Sequence, residues 1–465
     1  MKSIILNLFH RIIKRAKHKT VQSRRLTRKA RDFFLIMAGA ALVSWVALGF
    51  SRLVDLATQL NFTWTSRHPL SALFVIPCGF MLLVWLTRRL APYTAGSGIP
   101  QVMAALYEPH PSKKRILIRL VPTLLKIPFT FFGLVLGASI GREGPTVQLG
   151  AAVMYSWGRI CEKYKLTRKR FKKNDLLAMG AAGGMAAAFN APLAGIIFAI
   201  EELSRIAYLK WERNILFGIL ASGFILIAIE GNNPHFPVFY GNARAEDIFF
   251  CTIICALACG ILGGLFSKLL TKGFSYFCPQ PIKKLVLAHP LWTAGLLGLA
   301  VAIIGIYFKG ATYGVGYSLS ANALLEKAHY IPGLLTGKFL ASILSYWAGL
   351  PGGIFSPSLS IGALLGVALH SLPLYINIDS DTMVLFCMAA FLAAVTQSPL
   401  TASVVVMEMT LSISMLFWLL ICSIIATFVA RQFSPRSFYL TSAIKYVALL
   451  NNLPMSDKKS TKQEN

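Results

Sequence analysis

Gly141-Arg142-Glu143-Gly144-Pro145, closing at Gly150, has the spacing G-x-x-x-P-x-x-x-x-G, and Gly353-Ile354-Phe355-Ser356-Pro357, closing at Gly362, repeats it 212 positions later. Two further anchors flank the pair in the same order. Upstream, Lys126 and Lys338 also stand 212 apart. Downstream, Asn190-Ala191-Pro192-Leu193 with Glu201 aligns with Gln397-Ser398-Pro399-Leu400 with Glu408 at an offset of 207. The change of offset falls in the connecting stretch, where insertions are tolerated. Three anchors in one order point to a duplicated chain rather than a chance likeness between Gly- and Pro-rich segments.

The surroundings of the two segments are apolar. Of 465 residues, 55% are hydrophobic and only 14% charged, against about 25% charged in a soluble domain, and the mean hydropathy is +0.62. This excludes a disordered chain and speaks against a soluble enzyme. From residue 33 to about residue 430, apolar stretches follow one another. Several are long enough for a ~30 Å hydrocarbon core, and others are interrupted by Gly or Pro, as in transporters whose broken helices meet substrate. The expected fold class is all-α, multi-pass and membrane-spanning.

The net charge is +28, and its placement matters more than its size. Residues 1–33 hold eleven Lys and Arg with one acid, and residues 159–173 hold eight with one acid. Both clusters abut apolar stretches instead of lining one face of a domain, so they fit cytoplasmic loops and not nucleic-acid binding. The counterpart of 159–173 in the second half, roughly Ser371 to Thr382, has no Lys or Arg and carries Asp379 and Asp381. By charge bias the two loops lie on opposite sides of the membrane, so the halves are expected to be inverted repeats with a binding site between them near the midplane.

The ends of the chain read as accessory. At the start, Ile5, Leu8, Phe9, Ile12 and Ile13 share one helical face opposite Arg11, Lys14 and Arg15. That pattern suits an amphipathic helix on an anionic membrane surface; an organelle transit peptide has the same look, while a secretory signal does not. The expected division is a basic segment 1–32, a membrane domain 33–445 with halves about 33–235 and 245–445, and a short polar tail 446–465. Cys251, Cys255 and Cys259 share a helix face without a nearby His or carboxylate; close packing against a neighbouring helix is the expected role, and no metal site is assigned.

The chemistry is expected at the breaks. Pro is tolerated in a first helical turn, so each G-x-x-x-P segment suits a break followed by a helix start. A helix N-terminus offers unpaired N–H groups and a partial positive charge, which attract anions. Two such ends converging from the two halves would make an anion site from backbone amides. Glu143 stands where that anion would bind; it could leave the site when protonated, or it could simply cap its helix or pair with Arg142. Gly96-Ser97-Gly98-Ile99-Pro100 has the same grammar, with Ser97 either donating to an anion or capping the next helix. Glu201 matches Glu408 in the repeat and is expected to be structural. Glu202 matches Met409, so it is the acid of one half only and the better proton-transfer candidate. Lys126 and Lys338, being duplicated, suggest structural or general electrostatic roles, and His370 an interfacial one.

These segments resemble the CLC family of chloride channels and proton/chloride antiporters. The three signature segments occur in order, Asn190-Ala-Pro-Leu-Ala-Gly195 fits as well, and the similarity runs from about residue 33 to 445. The resemblance implies a homodimer in the lipid bilayer with one anion pathway per subunit, each subunit an inverted repeat of short, tilted and broken helices. It implies that Ser97, Tyr439 and the backbone amides of Ile354 and Phe355 hold chloride, with Arg142 and Gly144 counted in the same anion-binding set. Glu143 would be the gating glutamate and outer proton site, and Glu202 the inner proton-transfer glutamate kept by antiporters rather than channels. Ser97 suggests chloride over nitrate or fluoride. Gln101 departs from the family's usual Glu. The absence of a nucleotide-sensing cytoplasmic tail looks prokaryotic, implying a bacterial inner membrane with both termini cytoplasmic. The expected function is proton-coupled chloride exchange, with a passive channel as the alternative; the resemblance implies a transporter and not an enzyme, and calls for no cofactor.

Overall fold

The structure of the chain, a computed structural model, describes residues 2–167, 171–206, 213–231, 233–239, 245–373 and 378–452, with only the backbone described for 2–29, 213, 214 and 245. Arg168, Lys169 and Arg170 of the basic run, part of the acidic loop, the polar tail from residue 453 and the side chains of the amphipathic start therefore lie outside the described residues. The first half comprises α1 (Lys2–Arg67), α2 (Ala72–Leu90), α3 (Ile99–Tyr107), α4 (Pro111–Ile118), α5 (Leu120–Leu124), α6 (Lys126–Val135), α7 (Glu143–Lys163), α8 (Lys173–Phe189), α9 (Pro192–Glu201) and α10 (Arg213–Glu230). The second comprises α11 (Ala245–Lys272), α12 (Gln280–Ala288), α13 (Pro290–Tyr307), α14 (Tyr317–Leu324), α15 (Leu334–Trp347), α16 (Phe355–His370), α17 (Ser380–Thr396), α18 (Pro399–Thr410), α19 (Leu416–Phe433) and α20 (Phe438–Asn451). The chain is helical with no strand among the described residues. The basic start continues α1 without a break.

Among the described residues, five stretches are long and apolar enough to cross a membrane: Ala30–Arg67, Pro69–Leu90, Glu246–Lys272, Pro290–Tyr307 and Ile413–Phe433. A sixth passes only as a pair, Pro111–Leu124 with Lys126–Val135, bent by 57° at its break. The apolar runs 176–200 and 383–407 are not single spans. Each is cut in two, at Asn190 and Gln397, residues that both sit in the left-handed conformation (φ 53° and 55°). Pro192 and Pro399 then open the following helices, where the proline's missing N–H is harmless. The same punctuation at the same repeat positions produces the same break.

The two halves also pack alike. The most extensive helix contacts in the molecule are α7 with α8 and α16 with α17, which are repeat counterparts. A Cβ on Gly150 would strike the carbonyl of Gly180, and a Cβ on Gly362 would strike the carbonyl of Cys387. Gly180 and Cys387 are themselves 207 apart, so the closing glycine of each G-x-x-x-P-x-x-x-x-G segment presses on the equivalent residue of its own half. Small residues let membrane helices approach to backbone contact where burial of apolar surface no longer drives association. The cysteine face behaves likewise: Cys251, Cys255 and Cys259 are buried where α11 packs on α17 and α19, with Cys259 Sγ directed at the Cys387 carbonyl at 3.6 Å.

Where the halves meet, backbone holds backbone. Gly141 N–H donates to the Gly353 carbonyl and Gly353 N–H to the Gly141 carbonyl, both at 2.7 Å. Gly96 N–H donates to the Leu350 carbonyl and Gly352 N–H returns to the Gly96 carbonyl, both at 3.1 Å. The three glycine-led segments are thereby fastened into one knot at the centre. Gly150→Val should lower the thermal unfolding midpoint in detergent, since overpacking costs about 1–3 kcal/mol or more; Gly49→Ala, whose Cβ would meet nothing within 4 Å, should leave it unchanged.

Candidate functional site

The knot leaves two helix starts without side-chain caps. At α7 the N-cap is Arg142 and at α16 it is Ile354, and neither makes a capping hydrogen bond. Pro145 and Pro357 occupy the third position of each helix, so the N–H groups ahead of them belong to Glu143 and Gly144, and to Phe355 and Ser356. Glu143 neither caps its own helix nor pairs with Arg142. It crosses to the other half, accepting from Ser356 N–H (3.3 Å) and from the Ser356 hydroxyl, and it is buried to 1% exposure. Arg142 turns the other way, donating to Ser51 Oγ (2.5 Å) and pairing with Asp55 (3.3 Å). Both residues line a cavity of about 700 Å³, together with Ser51, Asp55, His235 and Ser356.

Ser97 lies on the other side of the knot. Gly98, with φ +111°, is the N-cap of α3, and a Cβ there would strike the Gly144 carbonyl; only glycine satisfies both that backbone angle and the close crossing. A Cβ on Gly144 would in turn strike Ser97 Oγ. Gly144 thus contributes by being absent as a side chain, letting Ser97 reach the start of α7. Ser97 does not cap α3: its hydroxyl is buried without a well-formed hydrogen bond, as is that of Tyr439 on α20, and the two hydroxyls face each other. A buried hydroxyl without a partner is costly. Six side-chain atoms are in that position among the described residues, and three of them belong to Ser97, Tyr439 and Glu202. A fourth is the carbonyl oxygen of Gln101, whose amide donates to the Ala95 carbonyl (2.7 Å) and to Tyr446 Oη (3.0 Å). A glutamate there could not donate both bonds, so the local hydrogen bonding suits the amide.

The two lysines are fully buried and held by neutral acceptors. Lys126 donates to Gln148 Oε1 at 2.8 Å, and Lys338 to the carbonyls of Thr312 (3.1 Å) and Gly314 (2.8 Å). His370 is exposed at the end of α16.

At the far ends of α9 and α18 the paired glutamates separate as the repeat suggests. Glu408 accepts from the N–H groups of Leu193 (3.2 Å) and Ala194 (2.8 Å) at the start of α9. Glu201 accepts from those of Leu400 (3.2 Å) and Thr401 (2.6 Å) at the start of α18. Each helix ends in the carboxylate that caps the beginning of the other. Glu202 takes no part in this exchange. It is buried at 1% exposure, accepts from the Ser398 hydroxyl and lies 3.5 Å from Arg205.

Residues 78–431 match the family described as voltage gated chloride channel. The chain belongs to the voltage-gated chloride channel (CLC) family. It is 31% identical over 459 residues to a protein of Citrobacter koseri named H(+)/Cl(-) exchange transporter ClcA, covering 91% of each chain. A protein of the same name from Salmonella agona is 32% identical, covering 87% of this chain and 84% of the relative. Among solved structures, a slow cyanobacterial Cl-/H+ antiporter superposes with a TM-score of 0.76 at 25% identity, covering 90% of this chain and 99% of its own. A eukaryotic CLC transporter superposes at 0.68 and 22% identity, covering 91% and 76%, and bears on the fold alone.

Against this CLC frame, sequence reasoning missed the second-half residues that receive the two acids. Ser356 was inside the quoted motif, and Ser398 directly precedes the Pro399 break; in the first half Gly144 and Ala191 occupy their positions. The signal was available as a repeat mismatch read in both directions. Removing either reciprocal cap, by Glu201→Gln or Glu408→Gln, should lower the thermal midpoint, each costing about 1–2 kcal/mol of stability for a charge-assisted bond to helix-end amides. The double variant should lose roughly the sum, because the two caps share no atoms.

Proposed function

We propose that this protein is a proton-coupled chloride antiporter, and one observation carries that reading. The Glu143 carboxylate of the first half occupies the amide and hydroxyl of Ser356 at the start of α16, the position where helix geometry would hold an anion. Two negative charges do not share one helix end in a low-dielectric interior. Chloride can take the place only when the carboxylate leaves, and it leaves readily only when protonated. Occupancy by chloride and protonation of Glu143 are thereby linked.

The remaining residues follow from their positions. Chloride enters through the cavity lined by Arg142 and Glu143. It is then held by the amides of Ile354 and Phe355, at the start of α16, and by the hydroxyls of Ser97 and Tyr439, which face each other without a well-formed hydrogen bond. Gly144 allows the approach. Glu202, buried and unmatched in the repeat, exchanges its proton with the cytoplasmic side, where the basic loops belong. A passive channel would need no second buried acid of this kind. No cofactor enters the cycle. We place the protein as a homodimer in a bacterial inner membrane with both termini cytoplasmic; the exposed Leu193, Ile200, Leu400, Phe417 and Phe428 on α9, α18 and α19 supply an apolar face suited to lipid or to a second copy.

Purified protein in liposomes with a chloride gradient, voltage clamped by a potassium ionophore and external pH recorded, tests this directly. Chloride flow should drive protons against their gradient. Glu202→Gln should abolish proton movement and leave part of the chloride flux, and Glu143→Ala should leave chloride flux independent of pH. Chloride movement in the unaltered protein without any pH change would establish a channel instead.

A further inference from the structure

Arg205 stands where neither the repeat nor the anion path calls for a cation. Its counterpart at the offset of 207 is Ser412. It closes the 3₁₀ turn Leu203–Arg205 directly after α9, and its guanidinium crosses to the second half. There it donates to the carbonyl of Gln397 and to Ser398 Oγ (3.2 Å). Its Nε donates to the Glu201 carbonyl (3.1 Å) and lies 3.5 Å from Glu202 Oε2. Ser398 donates its hydroxyl to that same oxygen. The other oxygen, Oε1, is buried without a partner. Exposure divides the pair sharply: 21% for the Arg205 side chain and 1% for Glu202.

Resting on the proton role of Glu202 set out above, we propose that Arg205 is a positioning residue for the inner proton step: it fixes one oxygen of Glu202 against Ser398, offsets part of the cost of a negative charge at that buried position, and leaves Oε1 as the atom that receives the proton. The physical basis is the balance between burial, which disfavours a charged carboxylate, and a cation within about 4 Å, which favours it. The other ionisable groups facing Glu202 among the described residues are Glu201, whose carboxylate is engaged by the α18 amides, and Tyr439 on α20. Neither offers a positive charge, so among the described residues Arg205 supplies it. Arginine does not release a proton in a protein and therefore does not relay one. Its bonds to the neutral acceptors of Gln397 and Ser398 persist when Glu202 is neutralised, so the guanidinium remains in place through the cycle.

The experiment is chloride-driven proton pumping in proteoliposomes as a function of internal pH. In Arg205→Gln the carboxylate loses its neighbouring cation, so the half-maximal point of pumping should rise by about one pH unit or more. Arg205→Lys, which keeps the charge, should recover most of that rise. An unchanged midpoint in Arg205→Gln, or equal shifts in the Gln and Lys variants, would overturn the proposal, the latter by showing that shape and not charge matters. If Arg205→Gln does not reconstitute, Ser398→Ala decides through the same midpoint: loss of the hydroxyl donor to Oε2 should raise it, and a wild-type value overturns the proposal. Proton pumping that survives Glu202→Gln would instead remove the reading of Glu202 itself, an outcome separable from any result at Arg205.

Discussion

Everything at the centre of this molecule depends on what buried backbone N–H groups may pair with. Inside a membrane an unpaired peptide group is costly, so a chain that breaks its helices at the midplane must satisfy the broken ends locally. Here Gly141 and Gly353 exchange both of their hydrogen bonds. That single antiparallel contact binds the halves together and at the same time aims two helix starts at one region. Glycine is needed beside that contact, at Gly98 and Gly144, where a Cβ would strike the Gly144 carbonyl and Ser97 respectively. Once the knot is tied, the next amides along, those preceding Pro145 and Pro357, are left for a partner from outside their own helices.

The duplicated scaffold uses that opportunity once, not twice. Glu143 and Glu202 both belong to the first half, and their counterparts Phe355 and Met409 are apolar. Each acid is received by a serine at a helix start in the second half, Ser356 for Glu143 and Ser398 for Glu202; the mirror positions of those serines are Gly144 and Ala191. By contrast, features serving the scaffold alone are kept in both halves: the reciprocal caps of Glu201 and Glu408, the breaks at Asn190 and Gln397, and the helix contacts at Gly150 and Gly362. Symmetry preserved marks support, and symmetry broken marks chemistry.

This division also explains what the sequence disclosed. The repeat, its breaks and the separation of Glu201 from Glu202 follow from residue type and offset, because Pro, Gly and left-handed Asn or Gln constrain the backbone wherever they occur. Cross-half partners do not follow. That Glu143 reaches Ser356 instead of its neighbour Arg142, and that Arg142 turns to Asp55, depends on how the halves are placed in space, and no local spacing encodes it. Arg205 was invisible for the same reason: three residues after Glu202 it reads as one more basic residue, and only the approach of Gln397 and Ser398 ties it to the other half.

The asymmetry bears on direction as well as on place. In a faithful inverted repeat every feature on one side of the membrane has its mirror on the other, and a proton path built from duplicated acids would read the same from both sides. Two acids drawn from one half and held by two different helix starts of the other remove that equivalence. In the proposed cycle Glu143 competes with the anion for the Ser356 amide and hydroxyl at α16, whereas Glu202 is held by a hydroxyl and a cation and competes with no anion there. In that cycle one carboxylate answers to chloride and the other only to the proton, which is the minimum asymmetry by which an inverted repeat can tie an anion moving one way to a proton moving the other.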